Sequence, residues 1–319
     1  MRKLAVLVLL AAAGCGDDTT TASLDLAMTT PGADLSVPDM AVARTANVPL
    51  GFQPAGLFWD SATQALYLAN DGGDQIVRWD EQSSSFAVVA RLPTIAPTSG
   101  GLGQLIKTSD GSWLVTRNGC GTGGAVIDVP SAASGTIAAL PNLATNRRRV
   151  GLTVASDGTI YDGWYTMTGT ACSGGGGGAL NGTVSSLTLD GTETAIITGI
   201  GKPIGVLAIG TTIYVSDQMN NVVLQAPLPA GGTPTTFATV AGADALAAGP
   251  AGTIFVVSNK GTVTQLATDG TATEISSGYK PLRGVAYDAD HKRLFIGEPD
   301  AGSADGGVGM PALHILPID

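Results

Sequence analysis

The sequence predicts an all-β fold, a six-bladed β-propeller built from four-stranded antiparallel blades. Three observations carry this prediction. A strand–turn–strand unit recurs six times along the chain. Aromatic residues make up only 5% of the chain while glycine occurs 45 times, which suits many short strands and turns. No convincing 3.6-residue periodicity follows the first 14 residues, so helices are not expected.

The repeat is clearest in the second strand of each unit. The six copies begin about 40 to 55 residues apart, which is the spacing of propeller blades. They read ALYLAND from Ala65, SWLVTRN from Ser112, TIYDGWY from Thr159, TIYVSDQ from Thr212, TIFVVSN from Thr253 and RLFIGEP from Arg293. The third residue of each copy is large, and we expect it to fill the space between blades. The predicted blades span 54–91, 102–141, 150–198, 203–239, 243–276 and 283–319.

The last blade contains only three strand-like segments. The segment 45–52, TANVPLGF, precedes blade 1 and has no other structural role in this scheme. We therefore predict that it forms the outer strand of blade 6 and closes the ring, protecting an edge that would otherwise be open. The propeller is accordingly expected to span 45–319.

The first 14 residues are expected to be a signal peptide. Arg2 and Lys3 are followed by the apolar run 4–13, which is too short to span a bilayer. The run ends in Ala12-Ala13-Gly14-Cys15, which resembles a bacterial lipobox and predicts a lipid on Cys15. A plain secretory signal with an incidental cysteine is the alternative. Either reading predicts export, and the lipobox predicts a membrane anchor at the bacterial cell envelope, on the periplasmic side or at the cell surface.

Residues 15–44 are predicted to be the lipidated cysteine and a disordered tether, because they are rich in Thr, Ala, Asp and Pro without any strand or helix period. Loss of the signal peptide would leave 16 − 2 = 14 basic against 26 acidic residues, a net charge of −12. Such a charge argues against nucleic acid as a partner. An envelope protein, a glycan or a small ligand on the propeller face is expected instead.

The sixth residue of each second strand is a candidate ligand at the mouth of the central channel. These residues share a polar or amphipathic side chain and are Asn70, Arg117, Trp164, Asp217, Ser258 and Glu298. The long connections fall on the same face, so this face is the predicted binding surface. The alternative is that strand ends at a surface are polar for solvation alone.

Asp162 interrupts an otherwise apolar column of the second strands. A carboxylate in such a position is costly unless it is paired or hydrogen-bonded. Arg147, Arg148 and Arg149 precede the first strand of the same blade, and one of them could supply the pair. A functional role and a structural ion pair are both open for Asp162 at this point.

The remaining cysteines and histidines give limited chemistry. Cys120 and Cys172 fall in equivalent loops of neighbouring blades, which predicts a disulfide in an exported protein; two unpaired thiols are the alternative. His291 is expected in a turn and His314 in a strand of blade 6. Neither is expected at the channel mouth, so a Ser-His-Asp triad is not predicted.

The repeat pattern resembles the six-bladed propellers of the gluconolactonase and senescence-marker (SGL) family, and propellers of the NHL-repeat type. The segments PAGLFWDSATQALYLAN from Pro54 and VSDQMNNVVLQAPL from Val215 carry the resemblance. The lactonases of this family hold a divalent cation, with Asn or Asp ligands just before the first strand. Here the equivalent positions are Ala55, Gly103, Val150, Ile204, Asp244 and Arg283, so only Asp244 offers a carboxylate.

The sequence therefore leads to a non-catalytic lipoprotein with a β-propeller binding domain, in which Asp244 joins the six mouth residues as a candidate ligand contact. The alternative is a divergent metal-dependent lactonase-like hydrolase that uses Asp217, Asp244 and Glu298 around calcium or another divalent cation. A scaffold without any ligand is a third hypothesis. The sequence identifies no catalytic residue by itself.

Overall fold

The computed structural model describes residues 46–94, 101–119, 123–144, 146–167, 180–300 and 310–318. These residues form six four-stranded antiparallel sheets, which are the blades of a propeller, and the predicted fold class is confirmed. In five blades the four strands are consecutive in the sequence. In the sixth, strand β1 from the start of the propeller lies at the outer edge beside β24.

The twenty-four strands that the structure describes have the following bounds. Strand β1 is Ala46–Pro49. Blade 1 consists of β2 (Pro54–Asp60), β3 (Ala65–Asn70), β4 (Gln75–Asp80) and β5 (Ser85–Arg91). Blade 2 consists of β6 (Leu102–Lys107), β7 (Trp113–Arg117), β8 (Ala125–Val129) and β9 (Ala138–Ala139). Blade 3 consists of β10 (Arg148–Val154), β11 (Ile160–Met167), β12 (Leu180–Leu187) and β13 (Glu193–Ile200).

The second half of the ring continues the same order. Blade 4 consists of β14 (Pro203–Ile209), β15 (Thr212–Asp217), β16 (Val222–Pro227) and β17 (Thr235–Thr239). Blade 5 consists of β18 (Ala243–Ala248), β19 (Ile254–Ser258), β20 (Thr262–Leu266) and β21 (Ala272–Ser277). Blade 6 consists of β22 (Gly284–Asp288), β23 (Arg293–Glu298) and β24 (Ala312–Pro317), completed by β1.

The hydrophobic core lies between neighbouring blades. Six clusters of buried apolar side chains each combine residues from two adjacent blades, including the pair formed by blades 6 and 1. The large third residues of the second strands belong to these clusters, as in the case of Phe295, which is fully buried against blade 1. Because each cluster needs both of its blades, the ring is stable only when it is closed.

The predicted closing strand is confirmed. Strand β1 pairs antiparallel with β24 in a register that places Asn47 opposite His314. Just beyond β1, the Leu50 amide donates to the Pro311 carbonyl at 2.8 Å, and the Leu50 side chain is buried. Chain segments that lie far apart in the sequence thus share one sheet, and β1 covers the edge of β24 that would otherwise be open.

A β-bulge near the start of the first strand recurs in five blades. The register between first and second strands shifts between Pro54 and Leu57, Leu102 and Leu105, Arg149 and Gly151, Pro203 and Val206, and Ala243 and Leu246. A bulge bends its strand and redirects a side chain, and bulges are common beside functional sites. Here each bulge contains or borders the residue that faces the channel mouth.

Several predictions fall on residues outside the described part of the chain. These are the signal peptide over 1–14, the lipidated Cys15 with the tether over 15–44, and the disulfide between Cys120 and Cys172. Over the described ranges, none of the helices has the length and apolar character that crossing a membrane would need.

Candidate functional site at the channel mouth

The central channel is lined by the first strands of the blades and contains a mostly apolar cavity of about 280 Å³. At the end where the first strands begin, it opens into a polar cavity of about 440 Å³, which we call the mouth pocket. Its lining includes residues of blades 3 to 6 together with Asn118, which follows the second strand of blade 2. The lining residues are Asn118, Arg148, Val150, Tyr165, Lys202, Ile204, Gln218, Asp244, Asn259, Lys260, Pro281 and Arg283.

The column of residues that opens the first strands converges on this end of the channel. Val150, Ile204, Asp244 and Arg283 line the mouth pocket, while Ala55 and Gly103 line a smaller adjoining cavity. Asp244 and Arg283 are the charged members of the column. At the neighbouring positions of the column, Val150 and Ile204 present apolar side chains that offer no oxygen ligand to a metal ion.

The backbone of Asp244 is fixed by blade 4. Asp244 lies in the bulge of β18, between Ala243 and Leu246. The hydroxyl of Ser216, on the buried second strand of blade 4, donates to the Asp244 carbonyl. The same hydroxyl accepts the Gly205 amide at 2.6 Å. These contacts hold the carboxylate at the pocket wall, where only 6% of the residue is exposed.

The Asp244 carboxyl has an unusual protonation equilibrium. Burial raises its pKa to about 7, although the charges of Arg283 and Lys202 and a hydrogen bond from Gln218 oppose that rise. The Gln218 amide donates to Asp244 Oδ2 at 2.7 Å. The other end of the Gln218 side chain accepts from Lys202 Nζ at 2.5 Å. Gln218 therefore orients the carboxylate and the ammonium group together.

Basic side chains dominate the charge of the mouth pocket. Arg148, Lys202, Lys260 and Arg283 line it, against the single carboxylate of Asp244. Burial lowers the pKa of Lys202, and the nearby charges of Arg283 and Arg148 lower it further, while Asp244 opposes this. The cations are thus close enough to repel one another. This concentration is unexpected in a chain whose net charge is −10.

Three of the predicted mouth residues accept hydrogen bonds from nearby backbone amides. Asn70 accepts the Gly73 amide at 3.0 Å, and Ser258 accepts the amides of Lys260 and Thr262 at 3.1 and 3.2 Å. Asp217 is buried and accepts from the amides of Gly201 and Lys202 at 2.8 and 2.9 Å, and from the Asn220 side chain at 2.6 Å. Such local bonds are typical of Asn, Asp and Ser at strand ends.

The other three predicted mouth residues contact neighbouring elements. Arg117 is buried and pairs with Asp74 of blade 1 at 2.6 Å. Trp164 donates from Nε1 to Ser185 Oγ at 2.9 Å, while the Arg147 guanidinium stacks on its ring at 3.6 Å. Glu298 accepts the Lys280 amide and contacts His314 Nε2 at 2.6 Å. These six residues do not line the mouth pocket, whereas Asp244, the seventh predicted mouth residue, does.

The three carboxylates considered for a metal do not converge. Asp217 is occupied by backbone amides, Glu298 contacts His314, and Asp244 faces cations. Among the described residues, no group of three or more His, Cys, Asp or Glu side chains could hold a metal ion. A divalent cation needs several converging oxygen ligands and would be repelled by Lys202 and Arg283. The mouth pocket therefore does not fit the metal of the SGL family.

Asp162 belongs to a structural ion-pair network. Arg149 Nη1 pairs with Asp162 Oδ2 and with Glu193 Oε1, and both Arg149 and Asp162 are fully buried. The prediction that one of three neighbouring arginines would pair with Asp162 is confirmed for Arg149. Sequence reasoning missed Glu193, which comes from the outer strand of the same blade. Burial raises the pKa of Asp162 to about 6, whereas Arg149 and Arg147 hold the pKa of Glu193 below its usual value despite partial burial.

A second polar cavity lies away from the channel, beside the closing strand. It measures about 520 Å³, and Glu298, His314, Asn47 and Tyr279 are among its lining residues. His314 contacts Asn47 Oδ1 through Nδ1 at 2.7 Å and Glu298 Oε2 through Nε2 at 2.6 Å. His314 thus links three strands of blade 6. It does not line the mouth pocket, in agreement with the sequence prediction.

Comparison with known proteins identifies structural neighbours. No family model matches the chain, and no curated protein matches it in sequence. A gluconolactonase from Xanthomonas campestris is 18% identical with a TM-score of 0.63, covering 86% of this chain and 90% of that one. The calcium-binding protein regucalcin from Agrobacterium tumefaciens is 18% identical with a TM-score of 0.61, covering 85% and 94%. A luciferin-regenerating enzyme is 14% identical with a TM-score of 0.64, covering 86% and 95%.

At these identities the likeness shows the fold alone, since one propeller fold hosts unrelated functions. The chain is a six-bladed β-propeller with gluconolactonase-like and regucalcin-like structural neighbours.

Proposed function

We propose that the protein is a small-molecule hydrolase that opens a lactone or a related ester in the mouth pocket. The observation that carries this proposal is Asp244, a buried carboxyl with a pKa of about 7 beside Lys202 and Arg283. A general base is most effective when its pKa lies near the working pH. Cations beside it are suited to stabilise the negative charge that develops on an attacked carbonyl oxygen. The gluconolactonase among the structural neighbours supports the choice of lactones.

The proposed reaction uses only residues of this chain. Asp244 accepts a proton from a water molecule as the water oxygen bonds to the carbonyl carbon. The carbonyl oxygen becomes an oxyanion, which the positive charge of the pocket stabilises. When the intermediate collapses, the bond from the carbonyl carbon to the ester oxygen breaks. The departing oxygen then takes the proton from Asp244, so the products are a carboxylic acid and an alcohol, joined in one molecule when the substrate is a lactone.

The test is turnover of a panel of aldonolactones and simple aryl esters, followed by acid release, in the presence and absence of a chelator. The wild-type protein is expected to hydrolyse at least one member with chelator present, and kcat/KM should rise as the pH increases through about 7. The D244N variant should lose about 100-fold or more of kcat, the usual contribution of a general base. Asp269→Asn is the matched control, since Asp269 is an exposed turn residue of the same blade outside the mouth pocket.

Two outcomes would contradict the proposal. One is the absence of turnover across the panel. The other is a D244N variant that retains the wild-type rate. Loss of activity on chelation, restored by one divalent cation, would instead favour the metal-dependent hydrolase hypothesis.

The second candidate is a non-catalytic binding lipoprotein of the cell envelope. The sequence Ala12-Ala13-Gly14-Cys15 favours it, because a lipid on Cys15 would anchor the propeller to a membrane. An envelope protein, a glycan or a small ligand would then occupy the loop face. Metabolic labelling with a radioactive fatty acid tests the anchor: the wild-type chain should take up label, whereas Cys15→Ser should not. An unlabelled wild-type chain would refute the anchor without bearing on hydrolysis.

A further inference from the structure

We infer that the mouth pocket selects a small molecule that carries a carboxylate or phosphate group, with this group lying between Lys202 and Arg283. As a statement about the substrate, this inference rests on the proposed hydrolase function. As a statement about binding, it stands on the charge and geometry of the pocket alone.

The first argument is the distribution of charge. The whole chain has 16 basic and 26 acidic residues, yet four basic side chains and a single carboxylate line this one cavity. Lys202 is partly buried close to Arg283 and Arg148, and like charges at short range repel one another, so an anion bound beside Lys202 would be stabilised. The direction of the Lys202 pKa, which burial lowers and which Arg283 and Arg148 lower further, agrees with this crowding.

The second argument is that the resident carboxylate is already engaged. Asp244 Oδ2 accepts from Gln218, and Gln218 in turn accepts from Lys202, so the three groups form one chain of hydrogen bonds. Among the residues that the structure describes, Lys202 makes no direct salt bridge with Asp244. One buried carboxylate, already bonded to Gln218, does not neutralise both Lys202 and Arg283. A ligand anion would supply the missing charge and form charge-assisted hydrogen bonds with Lys202 and Arg283.

The third argument concerns size and polarity. About 440 Å³ accommodates a molecule of sugar size. Besides the charged groups, the lining offers the side chains of Asn118, Tyr165, Gln218 and Asn259, which donate to or accept from hydroxyl groups. The walls formed by Val150 and Ile204 are apolar and suit a carbon skeleton. A hydroxyl-bearing organic anion fits this lining better than an apolar ester or an inorganic cation.

The test compares matched charged and neutral probes. Calorimetric titration of the full chain with D-gluconate should show binding with one site per chain, whereas D-glucitol, a neutral polyol of the same carbon number, should bind at least about tenfold more weakly. Inorganic phosphate serves as a second anion, which separates a general anion preference from a carboxylate preference. Raising the salt concentration should weaken binding of the anions and leave that of D-glucitol unchanged.

Charge-removing variants locate the effect. Arg283→Gln and Lys202→Met should each reduce gluconate affinity about tenfold or more, as expected for loss of one hydrogen bond to a charged group. Arg283 is exposed, so its substitution should leave folding intact. Arg78→Gln is the matched control, because Arg78 is an exposed arginine on β4 that does not line the mouth pocket. Equal binding of gluconate and glucitol, no binding of either anion, or unchanged affinity in both mouth variants would overturn the inference.

A substrate pair separates this inference from the proposed hydrolase function. D-glucaro-1,4-lactone carries a carboxylate where D-glucono-1,4-lactone has a hydroxymethyl group. If the inference holds, kcat/KM should be about tenfold or more higher for the charged lactone, and Arg283→Gln should abolish that preference. Equal turnover of both lactones would overturn the anion selectivity but leave the hydrolase standing. Anion binding without any turnover would overturn the hydrolase but leave the anion site standing.

Discussion

Replacing Arg149 by methionine should destabilise the protein strongly, because it leaves a buried carboxylate without a partner. Asp162 and Arg149 are both fully buried, and Asp162 Oδ2 pairs with Arg149 Nη1. The other carboxylate oxygen, Oδ1, is buried without a hydrogen-bond partner. Arg149 is therefore the hydrogen-bonding partner that the structure gives Asp162. Glu193, in contrast, would keep Arg147, which it contacts at 2.7 Å.

The magnitude follows from this arrangement. Removing one partner of a buried ion pair typically costs about 3–5 kcal/mol, since the remaining charge is neither solvated nor paired. Against a total stability of about 5–15 kcal/mol, this is a large fraction. At about 2–4 °C for each kcal/mol in a chain of this size, Tm should fall by roughly 10 °C. Urea unfolding followed by tryptophan fluorescence measures the change in free energy directly, and Trp164 lies in the same blade.

The pH dependence of the stability lost in Arg149→Met provides a second test, because its direction follows from the pKa of Asp162. A carboxyl whose pKa is higher in the folded than in the unfolded chain favours folding when protonated, and this contribution is lost as the pH rises through the folded-state value. The pKa of Asp162 is already raised to about 6 in the wild-type protein, and loss of Arg149 removes an opposing attraction. The deficit of Arg149→Met should therefore be smaller at pH 5 than at pH 8.

Two further variants test whether the unpaired Asp162 carboxylate causes the loss of stability. Arg147→Met is the matched control, because Arg147 is partly exposed and its loss leaves Glu193 paired with Arg149; the expected cost is about 1 kcal/mol or less. The double variant Arg149→Met/Asp162→Leu should recover much of the stability, since no buried charge remains unpaired. A cost below about 1 kcal/mol for Arg149→Met at pH 7.5, or a cost no greater than that of Arg147→Met, would refute the argument.

Three other outcomes are expected. Deleting residues 45–52 should lower Tm far more than deleting 16–40, because it removes β1 from blade 6; equal effects would contradict ring closure by β1. Replacing His314 by leucine should cost about 1–3 kcal/mol in urea unfolding, because Glu298 would lose a buried hydrogen-bonding partner; an unchanged midpoint would contradict this. The pKa of Asp244 is raised to about 7, so stability should fall as the pH rises from about 4 to 7 and should then level off. The D244N variant should lack this fall.

The blades could be predicted from the sequence because their signals are local. Each second strand is a short, mostly apolar run whose sixth residue is polar or amphipathic, and the Asp-Gly pairs at 110–111 and 157–158 mark the preceding turns. In the structure, Gly111 and Gly158 have φ values of 88° and 87°, which explains the glycines. The pairing of β1 with blade 6 was also predictable, since counting strands left one blade incomplete.

The candidate site was less accessible because its residues belong together only in three dimensions. Asp244 was found through the column that opens the first strands, and Arg283 stands in the same column. Arg148 and Lys202 each stand two residues before the column position of their blade, Val150 and Ile204, whereas Gln218 follows a second strand. Carboxylate ligands alone do not indicate a site whose charge is mainly basic. An excess of basic residues next to the first strands was the signal that could have indicated it.

The polar column at the ends of the second strands shows why strand-end polarity is a weak predictor of function. Asn70, Asp217 and Ser258 each accept a backbone amide of the following turn. A residue that caps a turn must be polar whether or not a ligand is present nearby. The polar residues at these strand ends therefore indicate turn formation. The sequence alone does not distinguish such residues from ones that contact a ligand.

The structure separates the residues that stabilise the propeller from those that shape its mouth. The ring depends on clusters between adjacent blades and on the closing strand, and among the six column positions at the mouth only Ala55 belongs to one of these clusters. Val150, Ile204 and Arg283 belong to none of these clusters. Their presence in place of metal-ligating residues therefore changes the charge of the pocket without removing a core contact between blades. A rigid scaffold with exchangeable residues at one end allows a cation-binding mouth to become an anion-binding one while the fold is retained. The charge of the mouth, rather than the similarity of the fold, should therefore guide the search for a substrate.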